Sequence, residues 1–307
     1  MIDKLIEDIQ IKKNPSAVGL DPSLQMMPEY LKEEYFGNYG NTPEAVGELF
    51  AEFNRRIIDA VSDIVPAVKP QIAMYEKYGL PGLHAYMETC RYAAEAGLTV
   101  IGDIKRGDIS STAAAYAAHL GGTEIGGQTT DLWKEDAVTV NPYMGSDGIH
   151  PFIQECLAHN KGIFILVRTS NPSSSELQEL KLEDGRRLFE AVADLTARWG
   201  EECTGSFGYS NVGAVVGATH RAQGEALRVR MKHTFFLVPG YGAQGGTAED
   251  VAGFFDQNAL GAVISSSRGI TAAYQNNNRY GERNFAEAAA EAAVSMRDDL
   301  RRVLFRS

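Results

Sequence analysis

The chain has 307 residues, of which 44% are hydrophobic and 22% are charged. This composition is typical of a globular protein and excludes the disordered, collagen-like and disulfide-rich classes. The 29 basic and 40 acidic residues give a formal net charge of −11, which disfavours binding to nucleic acid or to an anionic membrane surface. An anionic ligand therefore needs a local cationic pocket.

Cysteine usage and hydropathy predict a soluble, cytoplasmic protein. Cys90, Cys156 and Cys203 are widely spaced and odd in number, so they offer neither a disulfide framework nor metal-ligand spacing. The apolar runs, such as 162–167, are far shorter than the about 18 residues that a membrane span needs. Residues 1–14 mix acidic and apolar side chains at helical spacing, which predicts an amphipathic surface helix rather than a signal peptide.

Short apolar segments rich in β-branched residues recur along the chain and are typical of buried parallel strands. They lie at 17–21, 67–73, 99–105, 137–142, 163–169, 212–219, 235–242 and 262–269. Segments with a helical period lie between them and predict amphipathic helices, among them 43–61, 82–97, 185–200 and 285–305.

The alternation of strand and helix runs through eight rounds without a linker, which predicts one (β/α)₈ TIM barrel over residues 1–307 with an N-terminal surface helix. A doubly wound sheet is the alternative, but it usually has a glycine fingerprint after its first strand, where this chain has Asp21-Pro22-Ser23. We expect the long connections 23–42, 121–136, 170–185 and 271–283 to surround the catalytic mouth. Within them, residues 121–131 are compatible with a mobile lid or with a solvated turn.

Polar residues at the carboxyl ends of the predicted strands are the candidates for chemistry, because active sites of such barrels lie there. Asp103 and Lys105 stand two residues apart, so both project from one face of the third strand, and Asp108 follows in the turn. A buried ion pair closing a barrel layer is the structural alternative. Such a pair gains little net stability over apolar residues, so charges from several strands, including Lys69 and Asp21, favour a functional site.

The loops after the last two strands predict a phosphate site. Residues 239–246 begin at Pro239 and combine several glycines, whose backbone N–H groups can approach an anion, with the side-chain donor Gln244. Arg268, followed by Gly269, offers a bidentate guanidinium.

The pattern Asp103-x-Lys105-x-x-Asp108-Ile109-x-x-Thr112 resembles the signature of the orotidine 5′-phosphate decarboxylase family. Segments elsewhere in the chain resemble its longer bacterial, type 2 branch. They are 18–23, 68–79, 140–149, 167–174, 239–246 and 265–270.

The resemblance implies decarboxylation of orotidine 5′-phosphate to UMP, the last step of de novo pyrimidine synthesis, without a metal or an organic cofactor. Lys105 would stabilise negative charge at C6 and then protonate it, with Asp103 and Asp108 favouring the charged amine and Lys69 completing the network. By the same resemblance, Asp21 and Lys69 would contact the ribose, Ser170 the pyrimidine edge, and Gln244 and Arg268 the phosphate.

In the family that the chain resembles, the enzyme is a two-fold dimer, and the residues matching Asp108, Ile109 and Thr112 reach into the neighbour's site. The resemblance therefore implies a homodimer with shared active sites. Folding of Asp108 back onto its own chain is the alternative. Two other functions also stay open, namely a Mg²⁺-dependent sugar-phosphate decarboxylase or aldolase of the same superfamily and a non-enzymatic phosphate-ligand sensor. Asn141, Arg168, His220 and Tyr241 receive no role, and His220 is expected to be structural.

Overall fold

The computed structural model describes residues 1–242, 245–277 and 279–305. Its strands, numbered in chain order, are β1 Ser16–Leu20, β2 Ala67–Pro70, β3 Thr99–Arg106, β4 Thr123–Ile125, β5 Gln128–Thr130, β6 Ala137–Val140, β7 Gly162–Arg168, β8 Ser210–Val216, β9 Thr234–Pro239 and β10 Ala262–Ser266. Eight of these strands form a closed barrel in the order β1-β2-β3-β6-β7-β8-β9-β10, with β10 paired to β1. All neighbours in the barrel are parallel, so the predicted (β/α)₈ fold is confirmed.

Helices connect the barrel strands and cover the outside of the barrel. They are α1 Ile2–Lys12, α2 Glu29–Tyr39, α3 Pro43–Val61, α4 Ala73–Glu76, α5 Gly79–Glu95, α6 Ser110–Gly121, α7 Ser146–His159, α8 Ser175–Gln178, α9 Leu188–Trp199, α10 Arg221–Arg230, α11 Ala248–Val251, α12 Arg268–Thr271 and α13 Phe285–Leu304. None of these described helices has the length and apolar character that a membrane span requires.

The inside of the barrel changes from apolar to polar along the strands. Its lower layer packs inward-facing apolar side chains, which are Ala17, Ala67, Ile101, Ala137, Phe164, Phe235 and Val263. Two residues further on, the same strands present Lys69, Asp103, Thr139 and Ser265 to a cavity at the carboxyl ends. The apolar layer therefore forms the base on which the polar layer rests.

Helix α1 closes the lower end of the barrel. Its buried residues Ile2, Leu5, Ile6 and Ile9 pack in one cluster with the lower layer. The predicted amphipathic helix is therefore present, and its apolar face covers the amino-terminal end of the barrel, so the cavity opens at the opposite end.

One expectation about the connections was wrong. Residues 121–136 do not border the mouth, because they follow α6 and lead into the start of β6, which places them at the amino-terminal end of the barrel. There β4 and β5 form an antiparallel hairpin whose turn, Gly126-Gly127, has positive φ at both residues. Residues 23–42 follow β1 as expected, and Ser23 and Met26 line the cavity. The same connection also contains the 11-residue helix α2.

Several strands also end earlier than predicted. The strands predicted at 67–73, 212–219, 235–242 and 262–269 end at Pro70, Val216, Pro239 and Ser266. Beyond these ends the chain leaves the sheet, and several of the extra residues, among them Gln71, Tyr241 and Arg268, line the cavity.

Truncating α1 on its buried face should weaken the whole barrel. Ile6 is fully buried and Ile11, on the same helix, is 77% exposed. We expect Ile6→Ala to lower the free energy of unfolding by about 3 kcal/mol through lost packing, and Ile11→Ala to change it by less than about 0.5 kcal/mol. Urea denaturation of both variants measures the difference, and equal losses would show that α1 does not seal the barrel.

Candidate active site

A cavity of about 760 Å³ lies at the carboxyl ends of the barrel strands. Its floor is formed by Lys69, Asp103 and Thr139, and its walls by the loops after β7, β9 and β10. The strands therefore bring together charged residues that are far apart in the sequence, at the end of the barrel where the fold places active sites.

Four charged residues of alternating sign cross the floor. Lys105 Nζ lies 2.5 Å from Asp103 Oδ1, and Lys69 Nζ lies 2.8 Å from Asp103 Oδ2. Lys69 Nζ is also 3.9 Å from Asp21 Oδ1, and Asp21 Oδ2 accepts a hydrogen bond of 2.8 Å from Ser267 Oγ. Lys69 and Asp103 are buried, whereas the side chain of Lys105 is 46% exposed and borders the open space.

The Asp103 carboxylate accepts four hydrogen bonds. Besides the two lysines, Thr139 Oγ1 donates to Oδ1 at 2.9 Å and Gln71 Nε2 donates to Oδ2 at 2.9 Å. Each carboxylate oxygen is thus bonded on two sides, which fixes the orientation of the group and leaves it poorly suited to ligate a cation. The described residues contain no cluster of three or more His, Cys, Asp or Glu side chains arranged to hold a metal ion.

Sequence reasoning missed Gln71 and Thr139. Thr139 stands two residues after Ala137, an inward-facing residue of β6, so strand alternation could have identified it. Gln71 follows the end of β2 and forms an isolated bridge with Asp103, which depends on the register between β2 and β3 and is not visible in the sequence pattern.

The ionisation of the floor follows from this geometry. Burial lowers the pKa of Lys69, but attraction to Asp103 and then to Asp21 outweighs burial and raises that pKa above its ordinary value. Burial raises the pKa of Asp103, but attraction to Lys69 and Lys105 outweighs it and holds the pKa far below its ordinary value. Both groups are therefore charged at neutral pH.

The backbone at Lys105 leaves the strand conformation. Its φ is +46°, in the left-handed region that non-glycine residues rarely adopt, and the pairing of β3 with β6 shifts register between Gly102 and Arg106. Lys105 N donates to Thr139 Oγ1 at 3.0 Å, so Thr139 contacts both Lys105 and Asp103. Left-handed backbone of this kind costs of the order of 1 kcal/mol and clusters at functional sites.

The loop after β7 forms one wall. Thr169, Ser170, Asn171 and Gln178 line the cavity there. Of these only Ser170 was a candidate from the sequence. The other three belong to a connection whose path over the mouth depends on long-range contacts that the sequence pattern does not show.

The opposite wall comes from the ends of β9 and β10. Pro239, Gly240, Tyr241, Ser267 and Arg268 line it, while Gly269 lies in an adjoining crevice. Arg268 begins α12 and is exposed to the cavity. Burial, followed by the charge of Asp299, raises the pKa of Tyr241 to about 12, so its hydroxyl is protonated at neutral pH. Gln244, predicted on this side, lies outside the described residues.

Asp108, Ile109 and Thr112 do not line this cavity. Asp108 Oδ1 accepts a hydrogen bond of 2.7 Å from Ile109 N, and the side chains of Ile109 and Thr112 are exposed at the start of α6. The same chain therefore brings Asp103, Lys105, Lys69 and Asp21 together but leaves these three residues at its surface.

A model of the orotidine 5′-phosphate decarboxylase / HUMPS family matches residues 20–282 of the chain. The chain belongs to this family. It is 41% identical to orotidine 5′-phosphate decarboxylase of Caldicellulosiruptor saccharolyticus over 299 residues, which cover 97% of each chain. It is also 42% identical to the Clostridium tetani protein of that name over 301 residues, covering 98% of this chain and 97% of the relative. The family resemblance found in the sequence is thus confirmed.

Solved structures agree with this assignment. The structure of Leishmania donovani OMP decarboxylase is 29% identical, with a TM-score of 0.75, and the match covers 100% of this chain and 99% of that one. The whole barrel, including its terminal helices, is therefore shared.

Replacing Asp103 by a neutral residue should destabilise the fold, because Lys69 then stays buried without its main ion-pair partner. Because the pKa of Asp103 is depressed in the folded state, its contribution to stability is complete above the ordinary aspartate pKa of about 4 and is lost as pH falls below it. We expect Asp103→Asn to lower the free energy of unfolding by about 3 kcal/mol at neutral pH. The difference in the free energy of unfolding between Asp103→Asn and the wild type should become smaller below about pH 4.

Urea denaturation at a series of pH values measures this difference. Asp63→Asn, at an exposed position, is the matched control and should stay within about 0.5 kcal/mol of wild type throughout. A loss for Asp103→Asn that does not change with pH would contradict the depressed pKa.

Proposed function

We propose that the chain decarboxylates orotidine 5′-phosphate to UMP and CO₂, the last step of de novo pyrimidine synthesis. The observation that carries this proposal is the alternating chain Asp21-Lys69-Asp103-Lys105 across the floor of the cavity. Full-length relatives that are named orotidine 5′-phosphate decarboxylase support it.

Lys105 acts at the carbon that loses CO₂. When the bond between C6 and the carboxyl carbon breaks, CO₂ leaves and the electron pair remains on C6. A fixed ammonium group beside C6 stabilises that charge in the transition state, and the same group then donates a proton to C6, giving UMP. Lys105 suits both roles, because its ammonium borders the cavity and contacts Asp103.

Asp103 opposes the substrate carboxylate. Two carboxylates about 4 Å apart repel by about 4 kcal/mol at an effective dielectric constant of about 20. Asp103 cannot relieve the repulsion by turning away, because its two oxygens accept four hydrogen bonds. Departure of CO₂ relieves it, which favours the transition state over the bound substrate.

The remaining contacts follow the walls of the cavity. Asp21 and Lys69 bind the ribose hydroxyls, and Ser170 binds the edge of the pyrimidine. The phosphate binds at the opposite wall, between Arg268 and the turn that starts at Pro239. Gln244 of that turn and Gly269, next to Arg268, contribute to the same phosphate site. Gly240, Gly242 and Gly245 have positive φ there, which lets backbone N–H groups approach an anion.

The active form is a homodimer that shares its sites. Ile109, Tyr143 and Met144 are large apolar residues exposed beside Asp108. They belong to one patch, because the segments that carry them are adjacent: a Cβ added at Gly148 would lie 2.7 Å from Asp108 O and 3.3 Å from Met144 Cβ. A second copy covering this patch would carry Asp108, Ile109 and Thr112 into its neighbour's cavity, where each chain by itself has no residue from this segment.

A cytoplasmic location is consistent with the thiols of the described residues. Cys90, Cys156 and Cys203 are free and buried, as expected in a reducing compartment.

Removing the Lys105 ammonium should abolish turnover. We expect Lys105→Ala to lower kcat by more than about a thousandfold. Lys105→Arg should not restore it, because a guanidinium does not readily release a proton. Lys134→Ala is the matched control, because Lys134 has a φ of +55° and a side chain 45% exposed but lies at the other end of the barrel. The measurement is the fall in orotate absorbance with orotidine 5′-phosphate in the presence of a chelator.

The same assay separates the alternatives. Wild-type activity that disappears with chelator and returns with Mg²⁺ would indicate the metal-dependent reaction of the superfamily. Binding of UMP without any turnover of orotidine 5′-phosphate would indicate a sensor.

Mixed dimers test the shared site. We expect Lys105→Ala and Asp108→Ala chains, each inactive alone, to regain activity when they are refolded together. Each hybrid then has one site with both lesions and one with neither, so random mixing should restore about one quarter of wild-type activity. Lys105→Ala mixed with Asp103→Asn is the control and should stay inactive, because those two residues serve the same site. Verified hybrids of the first pair without activity would overturn the shared site.

A further inference from the structure

Arg168, at the carboxyl end of β7, is 1% exposed and is the largest fully buried side chain of the described residues. Its guanidinium donates hydrogen bonds to several groups at once. They are Gln223 Oε1 at 2.6 Å, Ser174 Oγ at 2.5 Å, Glu179 Oε1 at 2.8 Å, Gln178 Oε1 at 3.1 Å and Thr169 O at 3.3 Å. Nη2 also lies 3.4 Å from His220 Nδ1.

Most of these partners belong to one loop. Thr169, Ser174, Gln178 and Glu179 lie in the segment between β7 and α9, which forms the wall of the cavity beside Ser170. Only the planar fork of an arginine can reach partners in so many directions, because a lysine has a single terminal nitrogen. Arg168 therefore fastens this segment to the end of the barrel.

Gln178 transmits the attachment to the cavity wall. Its Oε1 accepts from Arg168 Nη1 and also from Thr169 N at 3.0 Å, while its Nε2 donates to Thr169 Oγ1 at 2.7 Å. The Gln178 amide is thus hydrogen-bonded to both the backbone N–H and the hydroxyl of Thr169, the residue before Ser170.

Ser170 is held from its other side by β8 and the turn after it. A Cβ at Gly217 would lie 2.8 Å from the N, Cα and Cβ atoms of Ser170, so the two backbones touch. Thr219 Oγ1 donates to Ser170 O at 3.3 Å, and Gly217 N donates to Arg168 O at 2.7 Å. Ser170 therefore has little room to move as long as Gln178 holds Thr169.

We propose that Arg168 is a positioning residue for the base-binding wall, acting through Gln178 to hold Thr169 and Ser170 where the pyrimidine edge binds. The inference rests on the proposed function, which places the pyrimidine at this wall. When the wall is already ordered before the ligand binds, binding does not include the entropic cost of ordering the wall. Loss of Arg168 therefore weakens binding of ligands that carry a base and spares those that carry only the sugar phosphate.

The test compares two ligands in two matched variants. Arg168→Lys keeps the charge beside Glu179 but loses the fork. Arg187→Lys makes the same exchange at an arginine that pairs with Glu179 Oε2 at 3.1 Å without contacting Gln178. Calorimetry gives the Kd of UMP, and displacement of UMP gives the Kd of ribose 5-phosphate.

For Arg168→Lys we expect the Kd of UMP to rise about tenfold and that of ribose 5-phosphate to stay within about twofold of wild type. For Arg187→Lys neither constant should change by more than about twofold.

A second variant tests the link and remains informative if Arg168→Lys fails to fold. Gln178→Leu, at a half-buried position, should show the same selective loss for UMP. Because both residues act through one connection, the double variant should lose about tenfold rather than about a hundredfold.

Three results would overturn the inference: an unchanged Kd of UMP in Arg168→Lys, equal weakening of both ligands, or fully multiplicative losses in the double variant. A wild-type chain that binds no UMP would overturn the proposed function itself, and the base-binding wall with it.

Discussion

The buried Asp103 carboxylate is the constraint on which the rest of the site depends. Taking a carboxylate out of water is costly, and a buried ion pair rarely gains net stability over apolar residues of equal volume. Lys69, Lys105, Thr139 and Gln71 offset that cost by donating to both oxygens. Those donors come from β2, its following turn, β3 and β6, so the carboxylate can be accommodated only when these three neighbouring strands are assembled side by side.

The barrel supports these charges by separating its two ends. Apolar residues from Ala to Phe fill the lower layer, and α1 covers it from below. Because no polar group is required there, the lower half of the barrel can be packed like an ordinary core. The polar layer lies two residues further along the strands and faces the cavity at their carboxyl ends. Stability and chemistry are thus assigned to opposite ends of the same strands.

The sequence alone predicted the parts of this arrangement that depend on local periodicity. The eight strand segments were predicted from short apolar runs rich in β-branched residues, and the inward face shared by Asp103 and Lys105 was predicted from alternation along a strand. The polar residues at the strand ends were chosen because active sites of such barrels lie there. The placement of 121–136 was wrong because α6 consists largely of Ala, Ser and Gly, whose weak polar contrast did not show that the helix runs to Gly121 and carries the chain to the other end of the barrel. Gln71, Gln178 and the environment of Arg168 could not be predicted, because each depends on contacts between elements remote in sequence.

The floor and the two walls of the cavity are stabilised by different interactions, and each set of interactions suits the part of the substrate that the surface is proposed to bind. The floor is held by ion pairs to the buried Asp103, which would orient Lys105 rigidly at the carbon where the proposed reaction takes place. The wall after β7 is neutral at the surface of the cavity and is held from behind by a buried guanidinium, so it can present hydroxyl and amide groups to a base without adding charge. The wall after β9 and β10 combines glycine backbone with Arg268, which suits a dianion. In the proposed mechanism, binding energy from both walls holds the substrate carboxylate against Asp103, so contacts remote from C6 would contribute to the rate of decarboxylation as well as to affinity.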